Sequence, residues 1–321
     1  MNRPWATVSI DLDDLWAYRR SFGLAPASAA SLLPAAVPRF LRLMDDHGIR
    51  GTAFVIGRDA EVAAHAPLLR GIAAAGHEIA NHSQDHAPDL DCWPATRQSA
   101  DLARAHVAIV AASGFEPRGF RAPSFRVSPT LLESVRALGY RYDSSTFPSS
   151  LGALARIWQT RRARALGTRA DFAADAYGSG KTRRLPLHPF AWNLAAGGLI
   201  EVPVTTIPGV RLPMHGTYLH YLGDRAGLLA RTYARLAVAA CRQARVAPHF
   251  LLHATDFIGC DDGPECAFLP GMRRPWRAKV ELLATVLQLL AADFTLIPID
   301  DYVAQLGSAY DQPGRIPADL L

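Results

Sequence analysis

Short apolar runs alternate along this chain with longer alanine- and leucine-rich stretches of helical period. "TVSID" is short and β-branched and predicts a strand ending at Asp11. "SLLPAAVPRFLRLMDDHG" places apolar residues every three or four positions and predicts a helix closing on Gly48. "RGTAFVIG" predicts the next strand, "RDAEVAAHAPLLRGIAAAG" a helix ending at Gly76, and "HEIAN" a third strand. The alternation continues with a helix over 95–112, a strand before Arg121, a helix from Ser128 and a strand at "YRYDS". After an irregular middle, "GLIEVPVT" and "HFLLHA" predict strands on either side of a helix over 226–244. A helix over 274–292 and a strand at "FTLIPI" complete the series. Such alternation specifies a parallel sheet covered by helices, open or closed into a barrel.

Chemistry in these folds gathers at the C-terminal ends of the strands. Five predicted strand ends carry polar residues: Asp11 and Asp13, His82, Arg121, Asp143, and His253. "NHSQDH" sets His82 and His86 four residues apart, a spacing that predicts one face of a helical turn and a grip on one metal ion. A carboxylate with two neutral imidazoles makes a three-ligand site with open positions. A metal there would acidify a water and polarise a carbonyl. A second carboxylate would take the proton, a histidine across the cleft would protonate the leaving group, and an arginine would hold the base ionised. Asp13, His82 and His86, then Asp11, His253 and Arg121, fill those roles for amide or ester hydrolysis. Strand alternation puts Asp11 and Asp13 on one side and Asp14 on the other; if the strand ends sooner, Asp14 becomes the ligand. Asp143 either touches the site or caps a loop, and Asp256 either orients His253 or bonds backbone.

On these motifs the chain resembles the polysaccharide deacetylases of the NodB-homology type, carbohydrate esterase family four. "SIDLDD" stands at the family's aspartate motif and "NHSQDH" at its H-[ST]-x-x-H metal motif. "FRAPSF", with Arg121 and Pro123, stands at R-x-P-[FY], and "LLHATD" at the late segment that carries the general acid. The resemblance spans about 7–299 and implies a single catalytic domain, a distorted (β/α) barrel of about seven strands. It implies Asp11 as base, Asp13, His82 and His86 as metal ligands, Arg121 as partner of the base and His253 as acid. The implied reaction removes an N-acyl group, usually acetyl, from an amino sugar. One departure stands out: many members have two adjacent aspartates and a glycine where this chain reads Asp11-Leu12-Asp13-Asp14-Leu15. The ligand set suits zinc first, with cobalt, nickel, manganese or iron as the other fits.

Composition narrows the setting. Of 321 residues half are apolar and a fifth charged, which excludes a disordered chain. The formal charge of +5 is almost all arginine, with Lys181 and Lys279 the only lysines. The four cysteines form no C-x-x-C pair and predict scattered reduced thiols. No charged and apolar leader fits before the first strand, and no 18-residue apolar run occurs, so the expectation is a cytoplasmic protein. Residues 155–186 break the rhythm with seven arginines among Trp158, Phe172 and Tyr177. They read as a solvated insertion or as a basic, aromatic lid for an anionic substrate or an acidic membrane leaflet. "GSGKT" within it lacks the glycine a P-loop needs, since Asp175 stands there, so no nucleotide is expected. No recognition module accompanies the arginines, so no nucleic acid is expected either. The expected partner is an amino-sugar substrate, with a polyprenyl-phosphate-linked N-acetylhexosamine leading over a soluble oligosaccharide and a small non-sugar amide. "LPLHPF", "IEVPVTTIPGVRLPMHGTYLHY" and "HATDFIGCDD" resemble branches that process such lipid-linked sugars, in lipid A or envelope glycan modification. A non-catalytic sugar binder is the rival from another class.

Overall fold

The computed structural model describes residues 3–25, 30–171, 181–307 and 316–317. β1 (Trp5–Asp11) leads into α1 (Leu15–Ser21) and α2 (Leu33–Asp46), then β2 (Thr52–Val55). The helix predicted up to Gly76 is broken into α3 (Gly57–Ala60), a 3-10 turn at Ala63–His65 and α4 (Ala66–Ala74). Pro67 explains the restart, because proline lacks an amide to extend a helix but suits a first turn. β3 (Glu78–Asn81), α5 (Ala95–Ser113), β4 (Gly119–Phe120), α6 (Pro129–Ala137) and β5 (Tyr142–Asp143) follow close to the predicted positions. Gly114, with φ of 73°, ends α5 in the left-handed conformation that glycine tolerates best.

The insertion forms α7 (Gly152–Ala165), with a 3-10 turn at Thr182–Arg184. Phe172, Tyr177 and the glycines of "GSGKT" lie outside the described residues. The stretch predicted as irregular contains β6 (Phe190–Leu194), a hairpin partner of β7 (Gly197–Glu201). α8 (Gly216–Gly223), α9 (Gly227–Gln243) and β8 (His249–His253) come next. α10 (Trp276–Asp293), β9 (Thr295–Ile297), α11 (Ile299–Leu306) and β10 (Ile316–Pro317) complete the chain. None of the helices among the described residues is long and apolar enough to cross a membrane.

The strands form one sheet in the order β10-β6-β7-β5-β4-β3-β2-β1-β8, with β9 added to the lower part of β1. Seven of them, β8-β1-β2-β3-β4-β5-β7, run parallel in an unbroken series. Closure is irregular: Thr205 donates its amide to the His249 carbonyl at 3.2 Å, and His215 bridges Leu251 in parallel. The fold is therefore a distorted (β/α) barrel, as the resemblance implied; the alternation alone leaves an open sheet equally in play. Its largest apolar core lies between the sheet and the α2, α9 and α10 layer, including Phe40, Val37, Phe250, Leu283 and Leu287. Because β1 is buried on both faces, every residue from Ala6 to Asp11 is inaccessible, including the polar ones the site needs.

Candidate active site

β1 delivers Asp11 at its last residue, and β8 delivers His253 in register beside it. The Nε2 of His253 stands 4.0 Å from Asp11 Oδ2. Arg121, one residue past β4 and wholly buried, donates from NH1 to Asp11 Oδ1 at 2.5 Å and to Ser9 Oγ at 3.0 Å. Its other nitrogens donate to the Ser144 carbonyl, to Ser144 Oγ and toward His249 Nε2, the last at 3.0 Å. The guanidinium is thus locked in one orientation and lies 3.9 Å over the Phe54 ring.

Asp13 comes two residues after β1 ends, yet it still points toward the histidines. Its Oδ1 is 3.3 Å from His82 Nε2 and 3.4 Å from His86 Nε2, and it is a buried atom without a hydrogen bond of good geometry. Asp14 turns away: Oδ1 accepts the amides of Leu15 and Leu32, capping α1 and tying in the following loop. Alternation persists past the strand because Leu12 still donates its amide to Phe54 of β2.

The spacing of His82 and His86 predicted a helical turn, and that expectation is wrong. Ser83 and His86 have φ of 65° and 46°, so the segment is an irregular loop. The carbonyls of Ser83 and Gln84 accept the first amides of α3, from Gly57 and Arg58, and are unavailable for a helix of their own. Asn81 Oδ1 receives the Ser83 amide, and Ser83 Oγ the His86 amide, which folds the loop back so that the rings meet at 4.9 Å. The Nδ1 of His82 bonds the Arg121 carbonyl at 2.7 Å, which fixes the ring and leaves Nε2 facing Asp13.

Charge follows from this packing. Burial opposes ionisation of Asp13, but the His86 and His82 rings outweigh it and hold the carboxyl below the usual carboxylate range. Burial alone would depress His82; contact with Asp13 and the Asp11 charge raise it instead. Burial pushes His86 down to about 4 against the pull of Asp13. The donors Asp13, His82 and His86 lie within 4.8 Å of one another. An orphaned buried carboxylate oxygen between two imidazole nitrogens fits a divalent cation.

Other predicted residues have different places. Asp143 is not in the cleft: it accepts from Ser145 Oγ, which in turn receives the Ala122 amide, and it sits against Glu201. Pro123 opens the 3-10 turn Pro123–Phe125, and it is Phe125 that reaches the cavity. Asp256 does both things foreseen for it. Oδ2 accepts the His253 amide, while Oδ1 receives Thr217 Oγ1 at 2.9 Å, and that hydroxyl lies 3.1 Å from His253 Nδ1. Ser9, Ser144, His249 and Thr217 are the residues that sequence reasoning missed. Ser9 precedes Asp11, and His249 precedes Leu251 and His253, in steps of two along their strands, so a period-two reading of β1 and β8 would have found both. Ser144 and Thr217 carry no such signal.

Beside His253 opens a cavity of about 450 Å³ with mostly apolar walls, among them Tyr18, Phe22, Phe147, Trp158, Tyr218 and Leu251. Trp158 belongs to α7, which closes one side.

Together these features define a distorted (β/α)-barrel protein with a carboxylate–imidazole cluster at its strand ends. Residues 6–142 match the family model for polysaccharide deacetylase. A chitooligosaccharide deacetylase of Bradyrhizobium sp. (strain ANU 289) is 34% identical over 117 residues, 34% of this chain and 52% of the relative. The match therefore spans about half the length of that relative. Among solved structures, a candidate polysaccharide deacetylase from Mycobacterium smegmatis superposes with a TM-score of 0.62 at 21% identity, over 98% of this chain and 93% of that one. A family 4 carbohydrate esterase from Streptomyces lividans gives 0.46 at 14% identity, over 93% of each chain.

Proposed function

We propose that the protein is a metal-dependent carbohydrate N-deacylase. The observation that carries this reading is the pairing, in one cleft, of an Arg121-held carboxylate with a histidine 4.0 Å away and an Asp13–His82–His86 donor set alongside. Asp13, His82 and His86 would hold the divalent ion, zinc by preference, which when bound supplies Lewis-acid stabilisation of charge developing on the amide carbonyl. Asp11 Oδ2 takes a proton from the attacking water, while Arg121 fixes Oδ1 and neutralises the charge of the base. His253 Nε2 gives a proton to the departing amine, so that amide and water become carboxylate and free amino sugar. Thr217 holds His253 Nδ1, and Asp256 supports the imidazolium form through that hydroxyl.

For the substrate we propose a lipid-linked N-acetylhexosamine, reached at an anionic membrane surface. The apolar cavity beside His253 supports a hydrocarbon-bearing ligand. The outer side of α7 exposes Leu154 and Ile157 together with Arg161 and Arg164, a combination suited to an anionic interface. The name of the Bradyrhizobium relative supports a chitooligosaccharide as the second reading. The test is acetate release from N-acetylhexosamine presented as polyprenyl-phosphate conjugate, as chitooligosaccharide and as free sugar. Turnover of the conjugate alone supports the first reading and turnover of the oligosaccharide alone the second. No release from any of them by the metal-loaded protein favours a non-catalytic sugar binder.

A further inference from the structure

On the far side of the β1–α1 corner, Asp14, Asp59 and His65 each bring a donor atom within 4.8 Å of the others. All three are buried, at 3, 3 and 5% exposure. Each is held from behind. Asp14 Oδ1 accepts two backbone amides, Asp59 Oδ1 accepts the Trp16 indole N–H at 2.7 Å, and His65 Nδ1 bonds the Asp59 carbonyl at 2.9 Å. Because a carbonyl only accepts, that last contact puts the proton on Nδ1 and leaves Nε2 as the ring's ligand atom. Such outer contacts are how proteins orient metal ligands. The remaining oxygen of Asp59, Oδ2, is buried and without any hydrogen-bond partner. No arginine or lysine among the described residues forms a salt bridge with Asp14 or Asp59. A cation held between the three residues would satisfy Oδ2.

We infer that Asp14, Asp59 and His65 form a second divalent-cation site, set back to back with the Asp13–His82–His86 cluster through the adjacent residues Asp13 and Asp14. One imidazole and two carboxylates suit a first-row transition metal such as zinc or manganese better than calcium or magnesium, which favour all-oxygen shells. The site ties the start of α1 to α3 and the turn before α4, and so anchors the chain on which Asp13 rides. Its role is structural, and it stands whether or not the protein is a deacylase.

The test is metal stoichiometry of the full chain, loaded with zinc or manganese, desalted and measured by elemental analysis. Two equivalents are expected for the wild type and one for the His82→Ala/His86→Ala variant. Adding Asp59→Asn, or His65→Gln where the former does not fold, is expected to remove the last one. Metal is also expected to raise the Tm of the His82→Ala/His86→Ala protein, and to leave the further variant unmoved. A folded His82→Ala/His86→Ala protein that binds no metal overturns the inference. A double variant that keeps its metal after Asp59→Asn overturns it too. A wild type whose single ion survives loss of His82 and His86 but not of Asp59 removes the active-site reading and leaves this one standing.

Discussion

A buried carboxylate needs a buried cation, and at the residue scale Asp11 and Arg121 answer each other in that way. Arg121→Met is expected to destabilise the protein by about 3–5 kcal/mol, since it leaves Asp11 unpaired inside the barrel; thermal or urea unfolding would register this, and an unchanged midpoint would refute it. Asp11→Asn keeps the shape and removes only the base, so kcat should drop by roughly 10²–10⁴-fold while metal content stays constant. Thr217→Val interrupts the link from His253 to Asp256. It is expected to lower kcat with little change in KM and to be rescued by Thr217→Ser, an outcome a merely structural threonine would not give. The candidate site was legible at this scale because Asp, His and Arg at strand ends are chemically conspicuous. The hydroxyls that hold them were not, since a serine or threonine is common everywhere and acquires its meaning only from a partner 23 or more residues away, as Ser144 does from Arg121.

Among the elements, the regular strands and helices were legible because their burial imposes a period. The loop bearing His82 and His86 was not, because its conformation is dictated by α3, which takes its carbonyls. That dependence can be measured. A Cβ on Gly57 would lie 2.2 Å from Gln84 Oε1 and 2.6 Å from the Ala105 Cα, so α3 would have to move. Gly57→Ala is expected to cost about 1–3 kcal/mol by overpacking and to weaken metal binding as well, although residue 57 touches no ligand. Isothermal titration would separate the two effects. β6 escaped sequence reading for a different reason: it pairs only with its hairpin neighbour and the short β10, and its identity as a strand is decided by that pairing.

For the molecule as a whole, pH and membranes are the informative perturbations. Glu78, at the base of the barrel, accepts from Thr52, Tyr142 and the Asp300 amide, and burial pushes its carboxyl up from 4.5 to about 7. A raised folded value means that its contribution is present in full below 4.5 and is lost as pH rises through about 7. Tm measured from pH 5 to 8 should therefore shift in favour of Glu78→Gln relative to wild type, by an amount equivalent to on the order of 3 kcal/mol. A constant difference across that range would contradict the assignment. On anionic vesicles, Arg161→Gln with Arg164→Gln is expected to weaken binding about thirty-fold, each arginine contributing about 1 kcal/mol. Sedimentation with vesicles would show it, and wild-type protein that ignores them at low salt would sink the membrane reading.

The irregular closure between Thr205 and β8 has a kinetic consequence. The other junctions of the barrel join parallel strands, β3 and β4 through a single pair, whereas this one rests on isolated bonds and on a segment interrupted by Pro203, Pro208 and Pro213, which offer no amides. The molecule therefore has a seam, and breathing should start there. In native-state hydrogen exchange, the amide of Thr205 should open well below the global unfolding free energy, while those of Val8 to Ile10 open only with it. Because Thr205 and His215 flank His249 and Leu251 across that seam, the acid-bearing strand borders the first part of the barrel to loosen.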